Sequence, residues 1–502
     1  MTEQLKENLQ RQLFDLADRQ VLVLGLGESG LAMARWLSFV GARVRVADTR
    51  AGNAQVDSAR AALLATVPKA EFIAGELAES LLEGVELVAW SPGLSIEQGP
   101  FEAFYRLARG REIAVVGEIE LFAQALAQLA EQAYSPRVLA ITGTNGKTTT
   151  TALAAHLCNT ANIKTRAAGN ISPAALDCLR EAIESKELPE LWILELSSFQ
   201  LALTHSLRPD AASILNVTQD HLDWHLTMQS YRDAKQRIYS ATTTAVFNRD
   251  DATTKPTRAV NAVSFGLSAP AAVGDFGMVR ESGVDWLAEA VLDEEAPKRR
   301  GKDAAPFRVK HLMPADALKI RGAHNQANVL AALALLKAIG IPLSRSLHGA
   351  RSFAGEPHRC QWISSIGGVD YFDDSKGTNV GATVAALSGM GKTCVLIAGG
   401  DGKGQDFSPL AAPVRTHARA VVLIGRDASM LQEALKATGV TLLHADSMEE
   451  AVQLASQQAR SGDCVLMSPA CASFDMFRNY GHRAEVFVAA VRELALDQGG
   501  VQ

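Results

Sequence analysis

Short apolar runs recur along the chain, each closing on glycine or a polar residue and each followed by a stretch with helical spacing. Runs of this kind read as strands buried on both faces, and strands alternating with helices imply a mostly parallel α/β sheet. The pattern falls into three groups. The first opens with "QVLVLGLGESGLAMARWLSFVGARVRVADTR", where a strand over residues 21–24 meets Gly25, Gly27 and Gly30, a helix follows, and a second strand ends at Asp48. The second holds a strand over 138–141 running into "TGTNGKTTTT", then "LWILELSSFQL" ending near Glu195, then "AASILNVTQDHLDWH" ending near residues 216–225. The third contains "VDYFDDSK", "KTCVLIAGGDGKG", "AVVLIGRD" and "DCVLMSPACASFD". Polar "LAQLAEQAYSPRV" at 126–138, with a proline before the next strand, predicts a linker, and the third group begins after "SFAGEPHRCQW". The expected organisation is α/β with three domains, at residues 1–133, 134–355 and 356–502.

Length agrees with this division, because 502 residues exceed what one hydrophobic core usually serves. Lys and Arg number 49 against 55 Asp and Glu, a net charge of −6, so no global basic field exists to attract nucleic acid or an acidic membrane. Any anionic ligand must be held locally. The six cysteines show neither CxxC spacing nor pairing with histidine, which indicates neither a zinc site nor a disulfide framework. The stretch "MTEQLKENLQRQLFDLADRQ" is charged where a signal peptide needs an apolar core, and no apolar run reaches the length of a membrane span. A cytoplasmic protein is expected. Charged, aperiodic "LDEEAPKRRGKDAAPF" at 292–307 predicts a solvated loop between strands, inside an insertion at 268–316 to which no chemistry is assigned.

Chemistry concentrates at the strand ends. In "AITGTNGKTTTT" the glycine of the full P-loop pattern is replaced by Ile141, yet Gly143 and Gly146 stand at a strand-to-helix turn, where backbone N–H groups can face a polyphosphate. Lys147 adds a point charge, and Thr148 or Thr149 a hydroxyl for magnesium. Glu195, leaving an apolar strand beside this loop, is a candidate magnesium ligand. His221 has Asp220 and Asp223 to orient it, and Lys235 in "YRDAKQRIY" reads on pattern alone as part of a solvated basic helix face. The motif "GLGESG" with Asp48 fits a dinucleotide or another phosphate-bearing ligand, and "SPG" at residues 91–93 marks a second strand end of the same sheet. Lys376 and Lys403, each beside glycine and acid at what read as matching ends of neighbouring strands, suit an anionic small substrate. The phosphate loop by itself leaves a kinase, an ATPase switch and an ATP-dependent ligase open.

Taken in order, "GLGESG", "SPG", "GEIELF", "GTNGKTT", "GNI", "ELSSFQL", "LNVTQDHLDWH", "YRDAKQRIY", "RGAHNQANV", "PHR", "DDSKGTN", "GGDGKGQDF" and "SPACASFD" resemble the Mur ligase family over nearly the whole chain. The combination of "ELSSFQL", "DDSKGTN" and "SPACASFD" resembles its D-glutamate-adding branch, and the Asp-Asn-Pro-Arg motif of the branch that adds a diamino acid is absent. The resemblance implies a Rossmann-like first domain, a central P-loop ATPase-type domain and a Rossmann-like C-terminal domain. It implies ATP and two Mg2+ ions, no NAD, and the substrates UDP-N-acetylmuramoyl-L-alanine and D-glutamate, joined through an acyl phosphate by a monomer.

The same resemblance assigns residues. ATP falls to Gly143, Thr144, Asn145, Gly146, Lys147, Thr148, Thr149, Asn325, Asn328, Arg359, Asp374 and Lys376. The UDP-sugar falls to Gly27, Ser29, Gly30, Asp48, Thr49, Gly93 and Asn170, with Glu28 turned to solvent. D-glutamate falls to Thr378, Lys403, Ser473, Phe474 and Tyr480. Thr148 and Glu195 are implied to hold one magnesium, His221 and a carbamylated Lys235 the other, with Lys147, His221 and Lys235 as the catalytic set.

Overall fold

The computed structural model describes residues 16–50, 52, 54–258, 261–296 and 305–497. The N-terminal stretch over residues 1–15 and the basic part of the charged loop at 297–304 lie outside the described residues.

Three sheets match the three groups of strands. The first is wholly parallel, in the order Glu71–Ala74, Arg43–Asp48, Gln20–Leu24, Leu87–Trp90, Ala114–Val116. The second has nine strands. Its parallel part runs Thr165–Gly169, Leu191–Glu195, Arg137–Thr142, Ala211–Ile214, Thr244–Asn248, Ala262–Phe265. The insertion prolongs this sheet with Phe276–Glu281, Val284–Leu292 and Phe307–Pro314, the last two pairings antiparallel. The third runs Gln361–Ile366, Val369–Asp373, Cys464–Met467, Cys394–Gly399, Ala418–Ile424, Thr441–His444, parallel except for its opening hairpin.

Successive strand residues point to opposite faces, and this alternation sorts the cores. Val138, Ala140, Trp192 and Leu194 face one side of the second sheet, while Leu139, Ile141, Leu191 and Ile193 face the other, against the helix Ala323–Ala338. The first side is shared. Val21, Val23 and Trp36 of the first unit lie in the same buried cluster as Trp192, and Phe122 meets Trp192 edge-on at 5.1 Å. The third sheet packs separate clusters on its two faces, around Phe487 and around Leu387.

Two expectations are corrected. The linker placed at 126–138 is helical as far as its midpoint, because Glu118–Glu131 is one helix that buries Leu126 and Leu129, leaving only residues 132–136 to connect the units. That helix is anchored in the second unit through Glu118, whose carboxylate accepts from the Leu176 N–H at 3.1 Å and from Gln200 Nε2 at 3.3 Å. Burial pushes the Glu118 carboxyl up to about 7. The loops carrying Lys376 and Lys403 do not follow neighbouring strands either, since Cys464–Met467 lies between Val369–Asp373 and Cys394–Gly399. Among the described residues no helix is long and apolar enough to cross a membrane.

Trp192 also donates its indole N–H to Tyr134 Oη at 2.9 Å, so it ties both units' cores to the connector. Trp192→Ala is expected to cost about 3–5 kcal/mol. In calorimetry the transition of the first two units should move down while that of the third unit stays in place.

Candidate active site

The strand Arg137–Thr142 lies inside the parallel part of the second sheet, and four residues separate its end from the helix Lys147–Thr160. Gly146, at φ 81°, is its N-cap, and a Cβ there would lie 2.5 Å from Asn328 Oδ1. Only glycine fits that approach. The loop is pinned from the adjoining strand: Thr144 N–H donates to Asn216 O at 2.9 Å, Asn145 N–H to Asn216 Oδ1 at 2.8 Å, and Thr144 Oγ1 accepts from Thr218 N–H at 2.9 Å. Lys147 Nζ turns back onto the carbonyls of Gly143 and Thr144, at 2.9 and 2.7 Å.

Lys235 is not on a solvated face. Its helix, Met228–Gln236, buries this side chain, and its Nζ donates to the same Gly143 carbonyl at 2.9 Å while lying 4.4 Å from the centre of the Tyr231 ring. Burial, followed by the charge of Lys147, drives its amine well below the ordinary lysine range. Burial also lowers Lys147, against the opposing pull of Glu195 and Asp220.

Glu195 is buried at the end of its strand; Oε1 accepts from Asn170 Nδ2 at 2.9 Å and Oε2 has no hydrogen-bond partner. A buried carboxylate oxygen left open in this way fits a hard cation. Thr148, in the first turn of the helix Lys147–Thr160, is buried, and its Oγ1 accepts from Arg359 Nη2 of the third unit at 3.4 Å. His221 sits in a left-handed backbone conformation, φ 56°, with Nε2 3.6 Å from Asp220 Oδ2. Burial lowers its pKa, Asp220 opposes this, and Lys147, Lys235 and Lys403 add to the lowering. This favours the neutral ring, the form that ligates metals. Asp223 is exposed, so Asp220 alone orients the ring. The described residues contain no cluster of three or more His, Cys, Asp and Glu that could hold a metal, so a cation here relies on mixed donors.

Two cavities collect many of the residues singled out in the sequence. One of about 380 Å³ lies between the phosphate loop, the start of Ala323–Ala338 and the third unit, and Asn145, Gly146, Thr149, Asn325, Asn328, Arg359 and Asp374 all line it. His324, Phe265 and Leu267 line it as well and were not singled out in the sequence. Lys376 is not in that lining; its Nζ lies 5.7 Å from the Tyr480 ring centre, while the charges of Arg359, Glu195 and Lys147 also act on it. The second cavity, about 500 Å³, collects Gly27, Ser29, Gly30, Asp48, Thr49 and Gly93 in the first unit. Glu28 is exposed at its rim. Asp48 is saturated: Leu26 N–H, Arg50 N–H, Arg50 Nε and Arg50 Nη2 donate to its two oxygens at 2.7–3.0 Å. Arg50, unremarked in the sequence, thus fills the acid that a dinucleotide ribose would use. Asn170 is found at Glu195, away from this cavity's lining.

The remaining residues belong to the third unit: Thr378, Lys403, Ser473 and Phe474 lie in segments that follow its strands, and Tyr480 opens the helix Tyr480–Asp497. Asn379 donates to Asn145 Oδ1 and to Asp220 Oδ2, both at 3.1 Å, which places the neighbouring Thr378 at the junction. Lys403 is exposed at φ 50°, Ser473 is buried, and Phe474 and Tyr480 are exposed at 71% and 40%.

Three family models match the chain in succession: the Mur ligase MurD-like N-terminal domain over residues 19–117, the Mur ligase middle domain over 141–336, and the Mur ligase glutamate ligase domain over 358–471. The chain belongs to the Mur ligase family. Within it, the chain is similar to the UDP-N-acetylmuramoylalanine–D-glutamate ligase of Ralstonia nicotianae, 58% identical over 497 residues that cover 97% of this chain and 99% of the relative. The enzyme of the same name from Cupriavidus pinatubonensis is 57% identical over 503 residues, with the same coverage. Among solved structures, UDP-N-acetylmuramate–alanine ligase from Thermotoga maritima shares the fold at TM-score 0.55 and 18% identity, covering 95% of this chain and 99% of that one. The MurF ligase of Thermotoga maritima in complex with ADP does so at 0.54 and 17%, covering 82% and 96%.

Asp374 gives a pH test. Burial raises its carboxyl to about 6, while hydrogen bonds from Ser468 Oγ and Cys360 N–H and the charge of Arg359 hold it from rising further. The family resemblance implies that Asp374 meets the ATP ribose, for whose hydroxyls only the ionised form is a pure acceptor. ATP affinity, measured by calorimetry, is expected to fall as pH drops through about 6, and Asp374→Asn should weaken binding at neutral pH and flatten that dependence.

Proposed function

We propose that this chain joins D-glutamate to UDP-N-acetylmuramoyl-L-alanine with conversion of ATP to ADP and phosphate, in the synthesis of peptidoglycan precursors. The observation that carries this reading is the convergence of Lys147 and Lys235 on one loop carbonyl, beside a nucleotide-sized cavity that the third unit closes with Arg359 and Asp374. A switch that only hydrolyses ATP has no need of the third unit's amino-acid residues.

In this reading the carboxylate of the muramoyl-alanine attacks the γ-phosphorus and ADP leaves; the amine of D-glutamate then attacks the acyl carbon, loses a proton and expels phosphate. The chain's residues bind and orient. Phosphates entering the loop replace the Gly143 and Thr144 carbonyls as partners of Lys147, whose charge offsets the repulsion between two approaching anions. Asn325 and Asn328 hold the adenine, Asp374 the ribose and Arg359 the phosphates. Ser29 and the glycine turn hold the uridine diphosphate, with Thr49 and Gly93 at the base. The saturation of Asp48 by Arg50 favours this ligand over NAD. Lys403 and Thr378 take the carboxylates of D-glutamate, bordered by Ser473, Phe474 and Tyr480. Thr148 and the open Glu195 Oε2 would hold one magnesium, and His221 with a carbamate on Lys235 a second. Magnesium there supplies neutralisation of phosphate and carboxylate charge. The depressed Lys235 amine is the uncharged form that adds CO2 and releases a proton. We place the enzyme in the cytoplasm as a monomer.

Phosphate release from purified protein tests the reading: it should require ATP, magnesium, the nucleotide sugar and D-glutamate together, and release with another amino acid, or without either co-substrate, overturns it. Lys147→Ala should lower kcat by about 100-fold or more, the loss that follows removal of one preorganised charge donor. Lys235→Ala should likewise lose turnover and recover part of it with added formate or acetate; recovery with short amines instead contradicts the carbamate.

A further inference from the structure

The first and second units also meet at a point that no step above uses. Residues 92–97 leave the uridine-side cavity and cross to residues 224–230. The Pro92 carbonyl accepts the Trp224 indole N–H at 3.1 Å, and Ser95 Oγ donates to the Trp224 carbonyl at 2.8 Å. Ser230 Oγ donates to the Glu97 carboxylate, 2.6 Å from each oxygen, and His225 Nδ1 lies 3.4 Å from Glu97 Oε1. Ile96 packs against a small apolar cluster of Ala202, Trp224 and Ala234.

Both ends of this contact touch functional parts. Gly93, inside the crossing segment, lines the first-unit cavity. On the other side, Ala234 immediately precedes Lys235, and Phe199 stacks on Trp224 at 5.1 Å while meeting His221 edge-on at 4.6 Å. The backbone between is held in uncommon conformations, with φ of 56° at His221 and 60° at Leu226. Such conformations persist only where surrounding contacts determine them, and those contacts here include the 92–97 segment.

We propose that residues 92–97 form a coupling latch, with Glu97, Trp224 and Ser230 as positioning residues, through which a uridine nucleotide in the first-unit cavity and the completed Lys235 side of the reaction centre stabilise one another. A ligand that fixes Gly93 restrains the latch, the latch restrains the His221 and Lys235 segments, and by linkage the effect is equal in both directions. The inference rests on the assignment of uridine to the first cavity and of the carbamate to Lys235.

The test is calorimetric UDP affinity of the full-length protein at fixed magnesium, in CO2-free buffer and with bicarbonate, alongside the 13C NMR carbamate signal from labelled bicarbonate. In the wild type, bicarbonate should tighten UDP binding by about 5-fold or more, within the usual range of coupling between sites, and UDP should raise the carbamate signal. Glu97→Ala and Ser230→Ala should abolish both effects and leave ADP affinity unchanged; Glu97→Gln, which still accepts from Ser230, should keep part of them. A bicarbonate effect that persists in both disrupting variants, or is absent from a wild type that binds UDP and forms the carbamate, overturns the latch. A wild type that binds ADP but not UDP, or shows no carbamate signal, overturns the assignments beneath it and the latch with them.

Discussion

Two lysine side chains end on one carbonyl oxygen, that of Gly143, and much of the reaction centre follows from this. Ammonium groups sharing one acceptor are held within about 6 Å of each other, and at that distance in a buried setting like charge disfavours protonation of both. Lys235, the more deeply enclosed, has its amine lowered the further of the two, by burial first and then by the charge of Lys147. The loop is thereby kept open to anions at its outer side, where Lys147 waits, and to a reactive amine at its inner side. Glu195 and Asp220 complete the balance as the carboxylates nearest these charges.

What could be read from the sequence was whatever a short window encodes. A strand closing on glycines, a lysine at the head of a helix and an acid at the end of an apolar run are local patterns, and Gly146, Lys147 and Glu195 stand where those patterns put them. On pattern Lys235 reads as a surface residue because the charges around it match a surface helix; its burial depends on the Gly143 loop, 92 positions away in the chain, as well as on Tyr231 one turn earlier in its own helix. The helix ending at Glu131 carries a polar stretch that resembles a connector, yet the apolar Leu126 and Leu129 reach a core supplied by another unit. His324 and Arg50 each sit beside a recognised motif and gain their place only through folding. Beyond the "SPG" turn, residues 94–97 carry no pattern, since the partners of Ser95 and Glu97 lie more than a hundred positions away.

The units are joined in two different ways. Between the first and second, tryptophan, phenylalanine and leucine side chains form one buried cluster, so their relative placement is as firm as a domain interior. Between the second and third, Arg359 on Thr148 and Asn379 on Asn145 and Asp220 are polar contacts at the site itself. Contacts of that kind are readily exchanged for contacts to a ligand, which suits a unit that must admit one substrate and close on two others.

The separate cores around Phe487 and Leu387 also bear on inheritance. A mutation near Ser473 or Thr378 is absorbed by packing that neither of the other units shares. Descent can therefore alter side chains near Ser473 or Thr378 without disturbing the cores of the other two units.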